Sequence, residues 1–179
     1  MSSMKAQAVT SELRQEATVV DCDVHFEVDQ DIRSPGYTLP DYVDPAYKAT
    51  LRSIYPWKVN SSHDLFMGGK IDFTRVLDAE PIRDELMDDY AVDHPIINAF
   101  FTPSECADRK LGVQVMKGLN DLMIEEFLDY DEDILGCAHI YNEEPHETAE
   151  ELDRIGDEEQ IVGVYFGTST PKWFAGDPK

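Results

Sequence analysis

The sequence has few basic residues. Its 179 residues include 15 Lys plus Arg against 37 Asp plus Glu, which gives a formal net charge of −22 and a pI near 4.3. Proteins bind nucleic acids and anionic membrane surfaces mainly through Lys and Arg side chains that displace counterions from phosphates. The shortage of these side chains therefore argues against both kinds of partner.

Long apolar runs, paired cysteines and phosphate-binding loops are also missing. No stretch approaches the roughly 18 uninterrupted apolar residues of a membrane helix, and the N-terminal segment has no signal-peptide core. Gly68 and Gly69 lack the Lys-Ser/Thr that would complete a phosphate loop. Three widely spaced cysteines, Cys22, Cys106 and Cys137, indicate reduced and mostly buried thiols. We therefore expect a soluble cytoplasmic protein.

The acidic excess has two interpretations. An acidic, Lys-poor surface is typical of proteins from salt-loving cytoplasms, where molar salt shortens the Debye length to about 3 Å and suppresses self-repulsion. The alternative is a dedicated acidic interaction surface, such as a mimic of DNA. We favour the halophilic interpretation.

Apolar runs and amphipathic segments alternate along the chain, which predicts βαβ crossovers and a parallel sheet buried on both faces. The predicted strands span 18–24, 94–101, 134–141 and 160–167. The predicted helices span 44–54, 80–92, 108–129 and 145–155. A polar leader covers 1–17, and a connection rich in Pro, Gly and aromatic residues covers 29–79. A connection of that length is usually functional.

The end of the first predicted strand carries residue types suited to metal binding. Asp23 and His25 are two residues apart, so both project to the same face of a strand, and Asp21 shares their parity. A carboxylate and an imidazole side by side can take two positions on Zn²⁺ or a similar divalent ion. The structural alternative is that the aspartates bond nearby amides and His25 is an ordinary strand-end histidine.

The string VVDCDVHFE, residues 19–27, resembles the opening of the amidohydrolase-related family. This family comprises metal-dependent (β/α)8 barrels and includes aminocarboxymuconate semialdehyde decarboxylase and γ-resorcylate decarboxylase. Segments 120–155, 161–169 and 176–179 are similar to later helix, strand and turn patterns of the family. The resemblance implies that Asp23 and His25 ligate one divalent metal, most simply Zn²⁺ and alternatively Mn²⁺. The remaining ligands of the family, a His near the fifth strand and an Asp at the eighth, have no counterpart here.

The resemblance implies an α/β fold made of the first four βα units of a TIM-like barrel, over 18–179, with an insertion at 29–79. A complete barrel needs roughly 200 to 250 residues or more. We therefore expect a small-molecule substrate and a barrel completed by a homo-oligomer, a second polypeptide or a longer chain. The implied function is metal-dependent hydrolysis of C–N or C–O bonds. The alternatives are metal-dependent decarboxylation of an aromatic or unsaturated acid, and a half-barrel that serves only in assembly.

Other aromatic and imidazole side chains are weaker candidates. Four aromatic residues of the insertion are candidates for a substrate wall, although core packing is the interpretation we favour: Tyr37, Tyr42, Tyr55 and Trp57. We expect His139 to be buried or to support the metal pocket from behind. We expect surface or strand-start positions for His63, His94 and His146.

The halophilic interpretation predicts that the chain loses its fold when it is moved from molar KCl to dilute buffer, because repulsion among the carboxylates is then unscreened. Far-UV circular dichroism during stepwise dialysis measures this loss. A chain that keeps its spectrum in dilute buffer would instead favour the dedicated acidic surface.

Overall fold

The chain forms a four-stranded parallel sheet with helices packed against it. The structure, a computed structural model, describes residues 17–26, 39–54, 79–99, 102–106 and 108–167. Neighbouring strands are parallel and follow one another in space in chain order. The strands are β1 (Val20–Phe26), β2 (His94–Ala99), β3 (Leu135–His139) and β4 (Ile161–Tyr165).

Four longer helices accompany these strands in the described residues, besides two short 3-10 helices at Leu39–Tyr42 and Pro103–Glu105. The longer helices are α1 (Pro45–Ile54), α2 (Ile82–Asp89), α3 (Arg109–Met123) and α4 (Pro145–Ile155). Helix α2 is π-helical, and so is the continuation of α3 over Ile124–Leu128. A doubly wound sheet reverses its strand order at a switch point, whereas this order has no reversal, as in a barrel. The structure confirms the predicted α/β fold, a partial TIM-like barrel of four βα units.

The observed boundaries differ from the predicted ones by a few residues. Strand β1 starts and ends two residues later than predicted, so His25 lies within the strand. Helix α2 ends at Asp89 and not at residue 92, because Ala91 has a φ of 64°, which is incompatible with a right-handed helix. Helix α3 starts where predicted, because the Asp108 side chain accepts a hydrogen bond from the Leu111 amide at 2.9 Å. Most of the predicted insertion and leader lie outside the described residues.

The apolar core lies between the sheet and the helices. Helix α3 and its continuation contribute a stripe of apolar side chains, spaced three or four residues apart for the most part. Ile124 of this stripe is partly buried, and the others are buried: Leu111, Val115, Leu119, Leu122 and Phe127. The Phe127 ring lies 4.7 Å from the Phe26 ring of β1. Gly136 of β3 allows the helix to approach closely, since a Cβ there would lie 2.8 Å from Met123 Sδ. The helix face of the sheet is thus filled, and a ligand must use the opposite face.

The acidic side chains mostly cover the outside of the helices. Sixteen acids lie between residues 121 and 160, and of these only Glu143 and Glu151 are buried. Each has an arginine partner: Arg109 Nε lies 3.6 Å from Glu143, and Arg154 Nη2 lies 2.7 Å from Glu151. The excess negative charge is therefore mainly a property of the solvent-facing surface.

The cysteines are free thiols but are less buried than predicted. Cys106 is buried and Cys137 is half-buried, whereas Cys22 is exposed, which corrects the prediction of mostly buried thiols. Burial raises the pKa of Cys137, and the nearby Cys22 raises it further. None of the helices in the described part of the chain combines the length and the hydropathy that crossing a bilayer requires.

Strands β2 and β3 separate before they end. Their register contains only the pairs Ile96 with Leu135 and Ile97 with Gly136. Directly after β3, Ile140 donates its amide to the Tyr165 carbonyl of β4 at 3.1 Å. The backbone N–H and C=O groups of neighbouring residues in a strand point to opposite sides of the strand. Because Ile140 bonds toward β4, the N–H and C=O groups of His139 point toward the gap beside β2.

The side-chain amide of Asn120 on α3 closes this gap. Its Oδ1 accepts a hydrogen bond from His139 N at 2.7 Å, and its Nδ2 donates to His139 O at 3.1 Å. The side-chain amide of Asn120 thus makes the two hydrogen bonds to β3 that a neighbouring strand would otherwise make. Nδ2 also donates to Glu151 Oε1 at 2.9 Å, and Arg154 holds both oxygens of this buried carboxylate at 2.7 and 2.8 Å. A buried network whose groups are paired in this way fixes the end of β3.

We predict that Asn120→Ala lowers the free energy of unfolding by about 2 to 4 kcal/mol, because it leaves two backbone groups of β3 without a partner and removes one of the two hydrogen bonds to Glu151 Oε1. Urea unfolding in molar salt measures this loss. Lys110→Ala, at an exposed position of the same helix, is the control and should change stability by less than about 0.5 kcal/mol. Equal effects of the two substitutions would contradict the assigned role of Asn120.

Candidate metal centre

Asp23 and His25 approach each other near the carboxyl end of β1. Asp23 Oδ1 lies 3.3 Å from His25 Nε2, and the two side chains are 78% and 29% exposed. Two donors that each lie about 2.0 to 2.1 Å from a tetrahedral Zn²⁺ are about 3.3 Å apart. The separation and the chemistry of this donor pair therefore fit two positions on one divalent ion.

A β-bulge in β1 sets the direction of these side chains. Asp21 is paired with Pro95, and Val24 is paired with Ile97, so β1 has one residue more than β2 over this stretch. A bulge interrupts the alternation of side chains between the two faces. The shared parity of Asp21, Asp23 and His25 therefore does not by itself place Asp21 on the face of the other two residues. Asp21 instead accepts a hydrogen bond from the Asp23 amide at 3.2 Å.

The donor pair has no third protein ligand in the described ranges. These residues contain no group of three or more His, Cys, Asp or Glu side chains placed to hold a metal ion. Stable zinc sites use three or four protein ligands. This pair alone is therefore an incomplete site.

The sheet curls strongly around the candidate site. Three steps between neighbouring strands would separate β1 from β4 by about 14 Å in a flat sheet. The ring centroids of His25 on β1 and Tyr165 on β4 are nevertheless only 6.3 Å apart, and the His139 ring of β3 lies 5.6 Å from Tyr165. Side chains from three strands thus meet across a concave face, as they do inside a barrel.

The base of this face contains two buried polar side chains. Asn98 of β2, opposite His25 in the register, is 3% exposed, and His139 is fully buried. His139 Nε2 accepts a hydrogen bond from the Ala99 amide at 2.9 Å. Burial lowers the pKa of His139 from 6.5 to about 3, because desolvation disfavours the charged imidazolium. The imidazole is therefore neutral at physiological pH, and the prediction that it is buried is confirmed.

Three loops meet at the carboxyl ends of the strands. Ser104, after β2, donates to Asn142 Oδ1 at 2.9 Å, and Asn142, after β3, donates to the Gly167 carbonyl at 3.3 Å. Thr102 Oγ1 would lie 3.1 Å from a Cβ placed on Gly167, which leaves little room for a side chain. This chain of hydrogen bonds connects the loops on one side of the site.

Sequence reasoning missed Asn98 and Tyr165. The signal that could have identified Asn98 is its side-chain amide, which stands alone in the apolar segment HPIINA. Tyr165 was interpreted only as part of an apolar strand. Tyr42, a candidate for a substrate wall, instead packs against the core and donates its hydroxyl to Glu126, so the core-packing alternative holds for it.

The remaining aromatic candidates are not tested, because they lie outside the described residues: Tyr37, Tyr55 and Trp57. His63 also lies outside them. His94 begins β2 and His146 is exposed, as predicted.

Comparison with solved structures places this arrangement in a known fold. A 2,6-dihydroxybenzoate decarboxylase in complex with 2,6-dihydroxybenzoate superposes with a TM-score of 0.56 and 21% identity, over 86% of this chain and 40% of the decarboxylase. The enzyme of that name from Rhizobium gives the same TM-score, over 39% of its length. A 5-carboxyvanillate decarboxylase from Novosphingobium aromaticivorans, crystallised with manganese and 4-hydroxy-3-methoxy-5-nitrobenzoic acid, gives 0.59 and 17% identity, over 87% of this chain and 43% of the other.

These similarities show the fold, a partial TIM-like barrel that spans about two fifths of the length of the solved structures. No protein-family model matches the chain. The search of curated proteins finds no similar sequence.

We predict that the free energy of unfolding falls as the pH falls from about 6.5 toward 3. In this window the imidazole of His139 binds a proton in the unfolded chain but not in the folded chain. The contribution of His139 to the free energy of unfolding is therefore fully present only above about pH 6.5. The slope due to this residue is at most about 1.4 kcal/mol per pH unit. Urea unfolding at two pH values between about 7 and 5 measures it.

His139→Gln should remove this part of the slope, whereas His146→Gln, at an exposed position, should keep it. The same slope in both variants would show that His139 is not the group responsible.

Proposed function

We propose that this chain carries the first pair of metal ligands of a metal-dependent decarboxylase that acts on an aromatic or unsaturated carboxylic acid. The observation that supports this most strongly is the contact of Asp23 with His25 on the concave face of a partial barrel. The solved structures that share this fold are named as decarboxylases. They favour decarboxylation over the hydrolysis that we expected first.

Asp23 and His25 would hold the metal ion through Oδ1 and Nε2, the two atoms that already approach each other. We propose Zn²⁺, with Mn²⁺ as the alternative, since both accept a mixed carboxylate and imidazole donor set. When bound, the ion supplies positive charge that fixes the carboxylate of the substrate and a neighbouring oxygen. The carboxylate of Asp23 offsets part of that charge.

The other side chains of the concave face would hold the acid. The Tyr165 ring, next to the rings of both His25 and His139, offers an aromatic surface against which a flat ring can stack. The buried side chains of Asn98 and His139 close the base of the face and exclude bulk water. A low local dielectric strengthens the attraction between the carboxylate and the bound cation.

The complete active site requires more polypeptide than the described strands. Strand β4 and the start of β1 expose large apolar side chains at the two edges of the sheet: Val20, Val162, Val164 and Phe166. Exposed apolar edges of this kind are normally paired or covered. We propose that further βα units, on this polypeptide, a second one or a second copy, cover these edges and supply the remaining ligands.

We predict that Asp23→Asn and His25→Gln each weaken Zn²⁺ binding by about 100-fold or more, because each removes a direct donor. Isothermal titration in molar KCl at neutral pH measures the affinity, in the protein together with whatever chain completes its barrel. Asp153→Asn and His146→Gln, on the outer side of α4, are matched controls that remove the same groups at exposed positions. Unchanged affinity in the double variant Asp23→Asn, His25→Gln would refute the ligand assignment.

Release of carbon dioxide from 2,6-dihydroxybenzoate tests the reaction itself, in the metal-loaded protein together with whatever chain completes its barrel. We predict turnover that is lost on chelation and restored by Zn²⁺ or Mn²⁺. Hydrolysis of an amide or lactone without release of carbon dioxide from any aromatic acid would favour the hydrolase. A stable assembly that binds metal and turns over neither class would favour the assembly role.

A further inference from the structure

A chain of hydrogen bonds runs from the outer side of α4 to the imidazole of His139. Arg154, whose side chain is 46% exposed, donates to both carboxylate oxygens of Glu151, whose side chain is 0% exposed. Glu151 Oε1 accepts from Asn120 Nδ2 at 2.9 Å, and the Asn120 amide bonds the backbone of His139. His139 Nε2 in turn accepts from the Ala99 amide at 2.9 Å. An exposed cation is thus connected, bond by bond, to a side chain at the base of the concave face.

The carboxylate of Glu151 sets the orientation of the Asn120 amide. An ionised carboxylate only accepts hydrogen bonds, so the group that faces it must be Nδ2. Nδ2 uses its second hydrogen on the His139 carbonyl, and Oδ1 accepts from the His139 N–H group. Both hydrogens and the oxygen of the amide therefore have partners, and the backbone of His139 is held at two points.

Arg154 compensates the charge of this buried carboxylate. A carboxylate in a dry interior is stable only beside a cation, because burial without one favours proton uptake or movement toward water. The guanidinium makes a two-point contact with Glu151, and its Nη2 also donates to Asp121 Oδ1 of α3 at 2.7 Å. Without Arg154, the carboxylate of Glu151 changes its charge or its position, and the hydrogen bond from Asn120 weakens.

We propose that Arg154 is a positioning residue for the His139 imidazole and acts through Glu151 and Asn120. The two bonds to the His139 backbone keep its ring where Nε2 meets the Ala99 amide, and this contact selects the neutral tautomer with its proton on Nδ1. A charge on the outer surface thereby determines which hydrogen-bonding groups His139 offers. The inference rests on the proposed function in one respect: it takes the concave face as the site to which His139 contributes.

Long-range ¹H–¹⁵N NMR spectra of the 179-residue chain in molar KCl at neutral pH report which nitrogen of His139 carries the proton. We expect Nδ1 in the unsubstituted chain. Arg154→Gln should raise the fraction with the proton on Nε2 about fivefold or more, because the contact with Ala99 loosens. Lys117→Gln is the matched control: it removes an ion pair at 3.2 Å between α3 and the 44% exposed Glu147 of α4, and should not change the tautomer.

The double variant Arg154→Gln, Glu151→Gln separates this role from a general loss of stability. Glu151→Gln keeps an oxygen that can accept from Asn120 and removes the charge that Arg154 compensates. Glu151→Gln alone and the double variant should therefore both show the tautomer of the unsubstituted chain. This comparison decides even if Arg154→Gln does not fold.

An unchanged tautomer in a folded Arg154→Gln chain would overturn the proposal. So would a mixture of tautomers in the double variant that Glu151→Gln alone does not show, because Arg154 would then act by a route other than Glu151. The NMR experiment uses neither metal nor substrate. Its failure therefore leaves the proposed function standing, and loss of the proposed function through unchanged Zn²⁺ affinity in the ligand variants leaves the tautomer result as measured.

Discussion

The side-chain amide of Asn120 determines the geometry of the carboxyl ends of the strands. Strands β2 and β3 pair at only two positions, and beyond them Asn120 bonds both peptide groups of His139 in place of a neighbouring strand. The amide is held in turn by the buried carboxylate of Glu151, which Arg154 neutralises. The separation of the strands leaves room for the imidazole of His139, which bonds β2 through the Ala99 amide. Asn120, on the helix side of the sheet, thus fixes the position of His139, whose imidazole lies at the base of the concave face.

The candidate functional side chains lie on the concave face of the sheet, because core side chains fill the space between the sheet and the helices. Phe26 packs on Phe127, and Gly136 lies directly against Met123, so no ligand fits between the sheet and α3. The bulge in β1 and the curl of the sheet bring His25 close to Tyr165 of the far strand. The contact of Asp23 with His25, the Tyr165 ring and the buried side chains of Asn98 and His139 are therefore on this face of the described strands, and the apolar edges indicate where the rest of a barrel would pack.

The sequence was informative wherever local patterns decide the structure. Apolar runs predicted all four strands, and the amphipathic segments between them predicted the helices, including the start of α3 at Asp108. The Asp-x-His spacing correctly placed Asp23 beside His25. Features that depend on contacts between distant segments were not predictable: the β1 bulge, the role of Asn120 and the position of Asn98. The early end of α2 follows from the backbone of Ala91, a residue type that rarely adopts a positive φ.

The proposal that Asp23 and His25 hold a divalent ion on the concave face of this sheet can be tested with a crystal structure grown with Zn²⁺, with anomalous scattering recorded at the zinc edge. We expect an anomalous peak about 2.0 to 2.2 Å from both an Asp23 carboxylate oxygen and His25 Nε2. A peak bound only elsewhere, or an unbroken contact between the two side chains without any peak in saturating Zn²⁺, would contradict it.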